Sequence, residues 1–500
     1  MTDGTTTLIA AYFEMGTLLG LPEHNIIGGK QVAALDSATM KVFDPGLAQP
    51  FHTVPASSEK DVSYAVEAAA AALTGVWADL MPAERGRVLM RAATLIRERQ
   101  DIFSIVEALD TGKPLAEAQS DVGGAARCFE YYAGLPDKLE GRSFPLGRNH
   151  VGYSSWEPVG VTAHIVPWNY PISTLARSLA AALAAGCSAV VKPAEQAPMT
   201  GLMLGSLLLE AGLPAGVVNI VSGTGCAAGA PLVAHRDVRH ITFTGSTATG
   251  IKVMRAASRN VTSVLPELGG KSPVIVLADA DVERTVENVL GAIYENAGQI
   301  CSAGSRLVVE RPLYEELVGK LVARARSIRL GHGLRGAQMG PINSLSQLEK
   351  IERMVDAARH RGVEVLCGGR RAVDPETGKG WFYEPTILAS ADEGDEVVQE
   401  EIFGPVLTVQ VAEDADDALT LANSTQYALA AGVFTRDFAA AHRLAGRIDA
   451  GQVFINEYFA GGIEVPFGGN RMSGFGREKG LDAVRSYSKL KSVTAYTGRD

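Results

Sequence analysis

From about residue 159 onward, short apolar runs rich in Val and Ile alternate with segments of helical period that are rich in Ala and Leu. In chain order these segments are "VGVTAHIV", "ISTLARSLAAALAAG", "SAVVKP", "MTGLMLGSLLLEAG", "VVNIV" and "HITFTG". A strand, a helix and another strand repeated at this spacing predict a parallel sheet with helices on both faces. The alternation therefore places the chain in the α/β fold class.

A second set of apolar runs predicts a second α/β domain. It begins at "PVIVL" and continues through "RLVVE", "VEVLCGG" and "LTVQV". Upstream, residues 1–22 look like an extension, "NIIGGKQV" is typical of a strand, and "DVSYAVEAAAAAL" is typical of an amphipathic helix. Helical period then runs through "RGRVLMRAATLIRERQDIFSIVEAL". A chain of 500 residues is long enough for two or three such domains.

Two further segments alternate like edge strands and stand outside both sets. They are "HVGYSSWEPVG" near residues 150–160 and "RSYSKLKSVTAY" near the C-terminus. An edge strand offers unpaired backbone groups to another chain. We therefore expect these segments to take part in pairing with another subunit.

Charge and cysteine content exclude several classes of function. The formal net charge is −10, whereas nucleic-acid and anionic-membrane binders need clustered positive charge. Five widely separated cysteines without a CxxC spacing favour neither a disulfide framework nor a zinc site, and they fit a reducing cytoplasm. No basic signal-peptide head and no run of roughly 18 apolar residues is present. We expect a cytoplasmic protein that acts on a small molecule, without metal, membrane or nucleic acid.

Two glycine-rich turns follow strands of the first set. "GTGCAAG", which contains Gly225, resembles a dinucleotide fingerprint, but any α/β unit needs such a turn. "FTGSTATG" places Gly245 and Ser246 at the start of a helix, where free backbone N–H groups bind phosphate. A plain helix cap by Ser246 explains the second pattern equally well.

The motif "KPAE" directly follows the strand "SAVV", at the sheet edge where open α/β folds bind ligands. Lys192 and Glu195 can hydrogen-bond the ribose hydroxyls of an adenosine. The carboxylate also repels a 2′-phosphate, which favours NAD over NADP. Taken alone, an ordinary surface ion pair is as good an explanation.

Three motifs supply groups for covalent chemistry. "PELGGKSP" contains Glu267, "PWNYP" holds Asn169 between two prolines, and "NAGQICSAGSR" surrounds Cys301 with small residues that permit access. A nucleophilic thiol needs a base, an oxyanion site and access. For Cys301 alone, a buried inert cysteine is the commoner case. "EEIFGPV", with Glu401 and Phe403, has an equally plain loop interpretation.

Taken together, these motifs resemble, in order and spacing, those of the aldehyde dehydrogenase superfamily over about residues 23–495. The resemblance implies a Rossmann-like cofactor domain, an α/β catalytic domain, and a small β bridging element that completes a neighbour's sheet in homodimers or homotetramers. We therefore expect the NAD-binding domain at 23–138 and 159–268 and the catalytic domain at 269–470. The bridging element is expected at 139–158 and 484–500.

The resemblance also implies roles in the non-acylating, NAD-dependent reaction. Cys301 would attack the aldehyde, Asn169 and the Cys301 backbone N–H would hold the oxyanion, and Glu267 would activate the water that hydrolyses the thioester. Lys192 and Glu195 would take the adenosine ribose, Ser246 the pyrophosphate, and Glu401 with Phe403 the nicotinamide ribose and ring. The full set expected to contact NAD is Val166, Trp168, Lys192, Glu195, Gly225, Gly245, Ser246, Glu401 and Phe403.

The sequence departs from the family at three positions. Pro266 stands before Glu267 where an apolar residue such as Leu is usual, and it removes an N–H donor, which puts the resting position of Glu267 in doubt. Ser178 stands where many members carry a Lys that works with a C-terminal Glu, here Glu478, in a proton path. That relay is therefore not carried over. Arg177 occupies a position that is often Trp.

Arg177 bears on the substrate. In members that oxidise semialdehydes an Arg at this position anchors the substrate carboxylate, and a guanidinium can do so bidentately. Those members commonly add an Arg six residues before the cysteine, where this chain has Glu295. Arg177 and Glu295 pairing with each other is an equally good interpretation, and an opposed pair also suits an amino-bearing or zwitterionic aldehyde. We expect a polar or carboxylated aldehyde, bound near Arg177, Glu295 and Phe467.

Two alternatives have other chemistry. A CoA-acylating semialdehyde dehydrogenase of the same superfamily typically lacks the water-activating Glu, whereas Glu267 is present. A catalytically silent structural member would not need Cys301, Glu267 and Asn169 together.

Overall fold

The computed structural model describes residues 3–498. Its strands are β1 (Asn25–Ile27), β2 (Lys30–Val32), β3 (Thr39–Asp44), β4 (Gln49–Pro55), β5 (Ser143–Phe144), β6 (His150–Pro158), β7 (Val161–Ile165), β8 (Ser188–Lys192), β9 (Val218–Ile220), β10 (Val238–Thr244), β11 (Ser263–Glu267), β12 (Pro273–Val276), β13 (Arg306–Glu310), β14 (Glu364–Cys367), β15 (Arg371–Ala372), β16 (Phe382–Tyr383), β17 (Thr386–Ala389), β18 (Val406–Ala412), β19 (Tyr427–Ala428), β20 (Ala430–Phe434), β21 (Gln452–Ile455), β22 (Asn470–Arg471) and β23 (Ser488–Tyr496). Its helices are α1 (Asp3–Met15), α2 (Glu59–Ala72), α3 (Val76–Asp79), α4 (Pro82–Glu98), α5 (Gln100–Thr111), α6 (Leu115–Ala133), α7 (Pro171–Ala185), α8 (Met199–Glu210), α9 (Ala230–Ala234), α10 (Thr247–Ala257), α11 (Val282–Tyr294), α12 (Tyr314–Arg326), α13 (Leu345–His360), α14 (Glu396–Gln399), α15 (Ala415–Ala422), α16 (Phe438–Ala445) and α17 (Gly480–Ser486).

The first large sheet has the strand order β11-β10-β7-β8-β9-β1-β2. Its strands β7 to β11 run parallel, as the alternating sequence predicts, and β8 and β9 are buried along their whole length. The segment "NIIGGKQV" forms two antiparallel strands and not the single strand expected. Gly28 and Gly29 make the turn with φ of +58° and +76°, a conformation that glycine adopts without steric cost.

The second large sheet has the order β14-β17-β18-β13-β12-β20-β21. All its pairs are parallel except β14 with β17. Its central strands β12, β17 and β20 are wholly buried. The prediction of a second α/β unit is therefore confirmed, whereas the exact domain boundaries remain predictions.

A separate sheet of order β23-β6-β5 joins the two segments that resemble edge strands. β23 and β6 pair with each other antiparallel over nine residue pairs, from Ser488↔Pro158 to Tyr496↔His150. Several apolar side chains of this sheet are exposed: Phe144, Val151, Tyr153, Leu490 and Tyr496. Residues 499–500 of the expected bridging element lie outside the described residues.

The predicted N-terminal extension packs onto the body of the chain through α1. The buried Tyr12 hydroxyl donates to Asp44 Oδ2 at 2.5 Å, and the same oxygen lies 2.8 Å from His332 Nε2. The Asp44 carboxylate thus connects the N-terminal extension, strand β3 and the loop that contains His332. Residues 1–2 lie outside the described residues.

Helix α7 follows β7, and its sequence explains why these residues form a helix. Pro171 occupies its first turn, where the missing N–H costs nothing, and Gly186 ends it with φ of +95°. Nearly every side chain between them is buried. Among the described residues, no helix has both the length and the apolar character needed to cross a bilayer.

Candidate active site

A cavity of about 890 Å³ lies where the carboxyl ends of the first sheet meet loops of the second. Strands β7, β8, β10 and β11 end at this cavity, and the loops preceding β13 and β18 contribute its other side. All fifteen residues predicted from the sequence line it: Val166, Trp168, Asn169, Arg177, Lys192, Glu195, Gly225, Gly245, Ser246, Glu267, Glu295, Cys301, Glu401, Phe403 and Phe467. The ends of parallel strands are where ligands of α/β folds bind.

The loop that carries Cys301 has an unusual backbone. Asn296, Ala297 and Gly298 are all left-handed, with φ of +47°, +53° and +72°. A Cβ on Gly298 would collide with the carbonyl of Gly404, so only glycine fits. Non-glycine residues in this region store strain, which is common at functional sites. The strained turn presents the partly exposed Cys301 to the cavity.

The Asn169 side chain is tied to this loop. Its Nδ2 donates to the carbonyl of Gln299 at 2.8 Å, and Asn296 Nδ2 donates to the Asn169 carbonyl at 3.1 Å. An amide nitrogen has two hydrogens, so one donor of Asn169 remains for a ligand. The two bonds fix an amide donor beside the cysteine.

The Cys301 thiol is protonated at neutral pH. Burial raises its pKa to about 12, and the charges of Glu401 and Glu267 add to this while Arg177 opposes it. A reactive thiolate is usually favoured by nearby positive charge. Attack by Cys301 therefore requires a base that removes its proton.

Glu267 ends β11 and is almost wholly buried, at 1% exposure. Neither carboxylate oxygen has a hydrogen-bond partner among the described residues. Burial and the nearby Glu478 raise the pKa of Glu267 well above its usual range, and Arg177 opposes the rise. Pro266 is tolerated because β11 is the edge strand of its sheet. The carboxyl is thus positioned as a proton acceptor of raised basicity.

Glycine at position 468 makes room for this carboxyl. A Cβ on Gly468 would lie 2.6 Å from Glu267 Oε1, closer than side-chain atoms pack. The backbone of Glu267 is also fixed, because its carbonyl accepts from the Gly245 N–H at 3.1 Å. The expectation that Gly245 offers a free N–H to a phosphate is therefore wrong: that donor continues the β10–β11 ladder.

Arg177 forms an ion pair with Glu478, and both side chains are buried. The alternative interpretation, in which Arg177 pairs with Glu295, is wrong. Glu295 instead accepts from the Tyr170 hydroxyl at 3.3 Å. Both partners of Arg177 come from the segment 467–478, since its guanidinium also stands 5.2 Å from the Phe467 ring centroid.

The opposite end of the cavity carries the expected cofactor residues. Lys192 Nζ lies 2.7 Å from Glu195 Oε2, and the Val166 N–H donates to the Lys192 carbonyl at 3.1 Å. Burial alone would raise the pKa of Glu195, but the Lys192 ammonium together with backbone hydrogen bonds from Glu195 and Gly225 more than offsets this, and the pKa is lowered. Glu195 therefore presents a negative charge to whatever binds there.

Ser246 and Gly225 also line the cofactor end of the cavity. Ser246 Oγ accepts from the Thr249 N–H at 3.3 Å and so caps α10, as the plainer interpretation expected. Gly225 begins a short π-helical turn, 225–229, and within residues 3–498 a Cβ built on it would meet no atom within 4 Å outside its chain neighbours and its own turn. Open space before a helix start suits a dinucleotide phosphate.

Glu401 and Phe403 come from the loop before β18. Glu401 Oε1 accepts from the Gly270 N–H at 3.0 Å, and burial raises its pKa to about 6. Phe403 has a left-handed φ of +60° and meets Trp168 edge to face at 5.3 Å. Together these contacts build an aromatic and acidic wall next to Cys301.

Sequence reasoning missed four charged residues of the cavity wall: Asp121, Lys252, Lys350 and Lys479. Asp121 is bound to Lys113 Nζ at 2.5 Å. Lys479 follows Glu478 directly in "GREKG", so the motif that identified Glu478 could have identified it. Asp121 lies in α6, where nothing in the local pattern indicates a site.

The chain is similar to known proteins over nearly its whole length. A family model described as "Aldehyde dehydrogenase family" matches residues 32–493. The betaine aldehyde dehydrogenase of Bacillus subtilis (strain 168) is 40% identical over 471 residues, which are 93% of this chain and 96% of that protein. The mouse (Mus musculus) 4-trimethylaminobutyraldehyde dehydrogenase is 39% identical over 97% of this chain and 98% of its own length.

Among solved structures, betaine aldehyde dehydrogenase from Staphylococcus aureus in complex with NAD+ superposes with a TM-score of 0.94. It is 35% identical, and the match covers 96% of both chains. The expected α/β architecture is therefore confirmed.

Proposed function

The chain belongs to the aldehyde dehydrogenase family, and we propose that its cavity oxidises the aldehyde through a covalent intermediate on Cys301. The overall reaction is the NAD-dependent oxidation of an aldehyde to its carboxylic acid. The observation that carries the proposal is the meeting of Cys301, Glu267 and Asn169 in one cavity. These are a nucleophile, a base and an oxyanion donor.

The first step transfers the Cys301 proton to Glu267, and the sulfur forms a bond with the carbonyl carbon. The carbonyl oxygen takes up the negative charge, and the free Asn169 amide hydrogen and the Cys301 N–H stabilise it. When bound, NAD supplies the hydride acceptor that turns this adduct into a thioester. The raised pKa of Glu267 suits it to take a proton from a thiol whose own pKa is raised.

The second step hydrolyses the thioester. Glu267, having released its first proton to solvent, removes a proton from water, whose oxygen attacks the thioester carbon. The C–S bond breaks, the acid leaves, and Cys301 is restored. Both steps use the same carboxyl, which the space above Gly468 accommodates.

The cofactor end fits a dinucleotide. Lys192 and Glu195 would hold the adenosine ribose, the turns at Gly225 and Ser246 would face the pyrophosphate, and Glu401 with Phe403 would hold the nicotinamide ribose and ring. Val166 and Trp168 line the path between them. The charge of Glu195 supports a preference for NAD over NADP, because a 2′-phosphate would meet like charge.

The finer question is which aldehyde binds. We propose one with a charged or strongly polar tail, because Arg177, Lys479, Asp121 and Glu295 all line the cavity. A cationic tail is a second candidate, since Asp121 and Glu295 are acidic and two relatives carry names of trimethylammonium aldehydes.

One assay tests the reaction and its alternatives. The purified enzyme is given NAD and a panel of aldehydes, with and without CoA, while the absorbance of reduced nicotinamide is followed. Turnover without CoA supports the hydrolytic reaction. A strict requirement for CoA would mean an acylating enzyme, and no turnover with any aldehyde would mean a silent member.

We also propose that the enzyme forms a homo-oligomer through the β23-β6-β5 sheet. The exposed apolar side chains Val151, Tyr153, Leu490 and Tyr496 lie on this sheet and would be covered by a partner. Light scattering on a size-exclusion column distinguishes a dimer from a tetramer. A monomer at micromolar concentration would contradict the proposal.

A further inference from the structure

Lys479 has a backbone conformation that a lysine rarely adopts. Its φ is +62° and its ψ is 172°, a region occupied almost only by glycine. Hydrogen bonds on both sides hold it there: the Phe467 and Glu478 backbones exchange two, at 2.8 and 2.7 Å, and the Gly480 N–H donates to Ile463 at 2.7 Å. Glycine would occupy the position without strain.

The strained backbone directs a cation to the cavity. Lys479 lines the cavity, and its Nζ stands 5.3 Å from the Phe467 ring centroid. The guanidinium of Arg177 stands 5.2 Å from the same ring. Both cations therefore lie within cation–π distance of the Phe467 ring, and each of these contacts is favourable.

Of these two cations, only Arg177 forms an ion pair among the described residues. Glu478 is bound to Arg177, and among residues 3–498 no carboxylate lies within ion-pair distance of Lys479 Nζ. Partial burial and the neighbouring Arg177 charge lower the pKa of Lys479. The Glu478 charge opposes this lowering without reaching ion-pair distance. A partly buried ammonium without an ion-pair partner is unfavourable, and an anionic ligand would relieve this.

Two acidic residues of the cavity, Asp121 and Glu295, do have partners. Asp121 is bound to Lys113, which itself stands 3.8 Å from the Tyr170 ring centroid, and Glu295 accepts from the Tyr170 hydroxyl. Asp121 and Glu295 thus each have a partner inside the protein, whereas the Lys479 ammonium has an aromatic ring beside it and no ion-pair partner among the described residues.

We propose that Lys479, beside Arg177, binds a carboxylate at the far end of the aldehyde substrate and so makes the enzyme selective for carboxylated aldehydes. This inference rests on the proposed oxidation at Cys301. Lys479 and Cys301 line the same cavity, and a negative charge on Cys301 acts on both Lys479 and Arg177. A short aldehyde acid can therefore place its two ends at these two positions.

The test compares succinic semialdehyde with its uncharged amide and with 4-trimethylammoniobutyraldehyde. In the parent enzyme we expect the highest kcat/KM for succinic semialdehyde. Lys479→Met should lower kcat/KM for succinic semialdehyde by about tenfold or more, as expected for one charged hydrogen bond, and should change the amide little. Lys479→Arg should retain the selectivity. Lys41→Met, an exposed lysine of β3, is the matched control.

Two further measurements test the proposal even if Lys479→Met folds poorly. Succinate should inhibit the parent enzyme competitively against the aldehyde, and succinamide should not. Lys479→Gly should raise Tm, because it removes the strain, while it lowers selectivity as Lys479→Met does. A parent that prefers the trimethylammonium aldehyde or the amide, equal effects of Lys479→Met on both substrates, or no inhibition by succinate overturns the proposal. Absence of turnover with every aldehyde would instead overturn the oxidation itself.

Discussion

Replacing Glu478 by Gln tests how the buried ion pair acts on the catalytic base. The side chains of Arg177 and Glu478 are only 12% and 2% exposed. Removing one partner of a buried pair costs about 3–5 kcal/mol, because the other charge stays buried without compensation. The Gln amide oxygen can still accept a hydrogen bond, so the lower value, about 3 kcal/mol, applies. Because the unfolding entropy is about 2.1 cal/mol/K per residue and the chain has 500 residues, Tm should fall by roughly 3 °C.

The same substitution should shift the pH dependence of deacylation. Glu478 raises the pKa of Glu267 and Arg177 lowers it, so removing the Glu478 charge lets the pKa of Glu267 fall. Glu267 works as a base only when ionised, and the rate rises as pH rises through its pKa. The acidic limb of the profile should therefore move to lower pH.

The assays are thermal unfolding and the pH profile of steady-state kcat, with the double variant Arg177→Met/Glu478→Gln as control. The double variant removes both charges and should recover most of the lost stability. If single and double variants are equally destabilised, the ion pair is not what holds this region. An acidic limb that stays in place, or moves to higher pH, would refute the effect of Glu478 on Glu267.

Three other substitutions test the remaining assignments. Cys301→Ser should abolish oxidation while NAD still binds, because a hydroxyl is far less nucleophilic than a thiolate; NAD titration and turnover measure both, and retained turnover would remove the covalent step. Glu267→Gln should slow both the first turnover of reduced nicotinamide in rapid mixing and the steady turnover, because Glu267 takes a proton in both steps; unchanged rates would show that another group is the base. Glu195→Gln should narrow the preference for NAD over NADP by about 1–3 kcal/mol; the ratio of kcat/KM values measures it, and an unchanged ratio would contradict the repulsion argument.

The location of the site could be predicted from the sequence because it follows from strand order. Val166, Lys192, Gly245 and Glu267 each end or directly follow a buried strand of one parallel sheet, so their positions depend on a rule about strand ends. The helical segment 85–109 was less predictable, since it breaks between α4 and α5 at Arg99. Periodicity continues across such a break and does not reveal it.

The sequence could not show which side chains pair with each other. Glu478 is far from Arg177 in the chain, whereas Glu295 was the acid that a family pattern brought to attention. Which carboxylate reaches the guanidinium depends on how the segment 467–478 folds back onto α7. The strained φ of Lys479 and Phe403 likewise depends on hydrogen bonds that local sequence does not show. The cytoplasmic location and the oligomeric state stay predictions.

The pairing of β23 with β6 has a consequence for biosynthesis. The Cys187 thiol donates to the carbonyl of Tyr487, the residue just before β23, which lies 300 positions later in the chain. At about 5–20 residues per second, a ribosome needs roughly 15 to 60 seconds to make that span. During this interval the long strand β6 has emerged without β23, and its exposed backbone edge is open to mispairing with other nascent chains. The synthesis of β23 therefore decides when the edge of β6 is no longer open to mispairing.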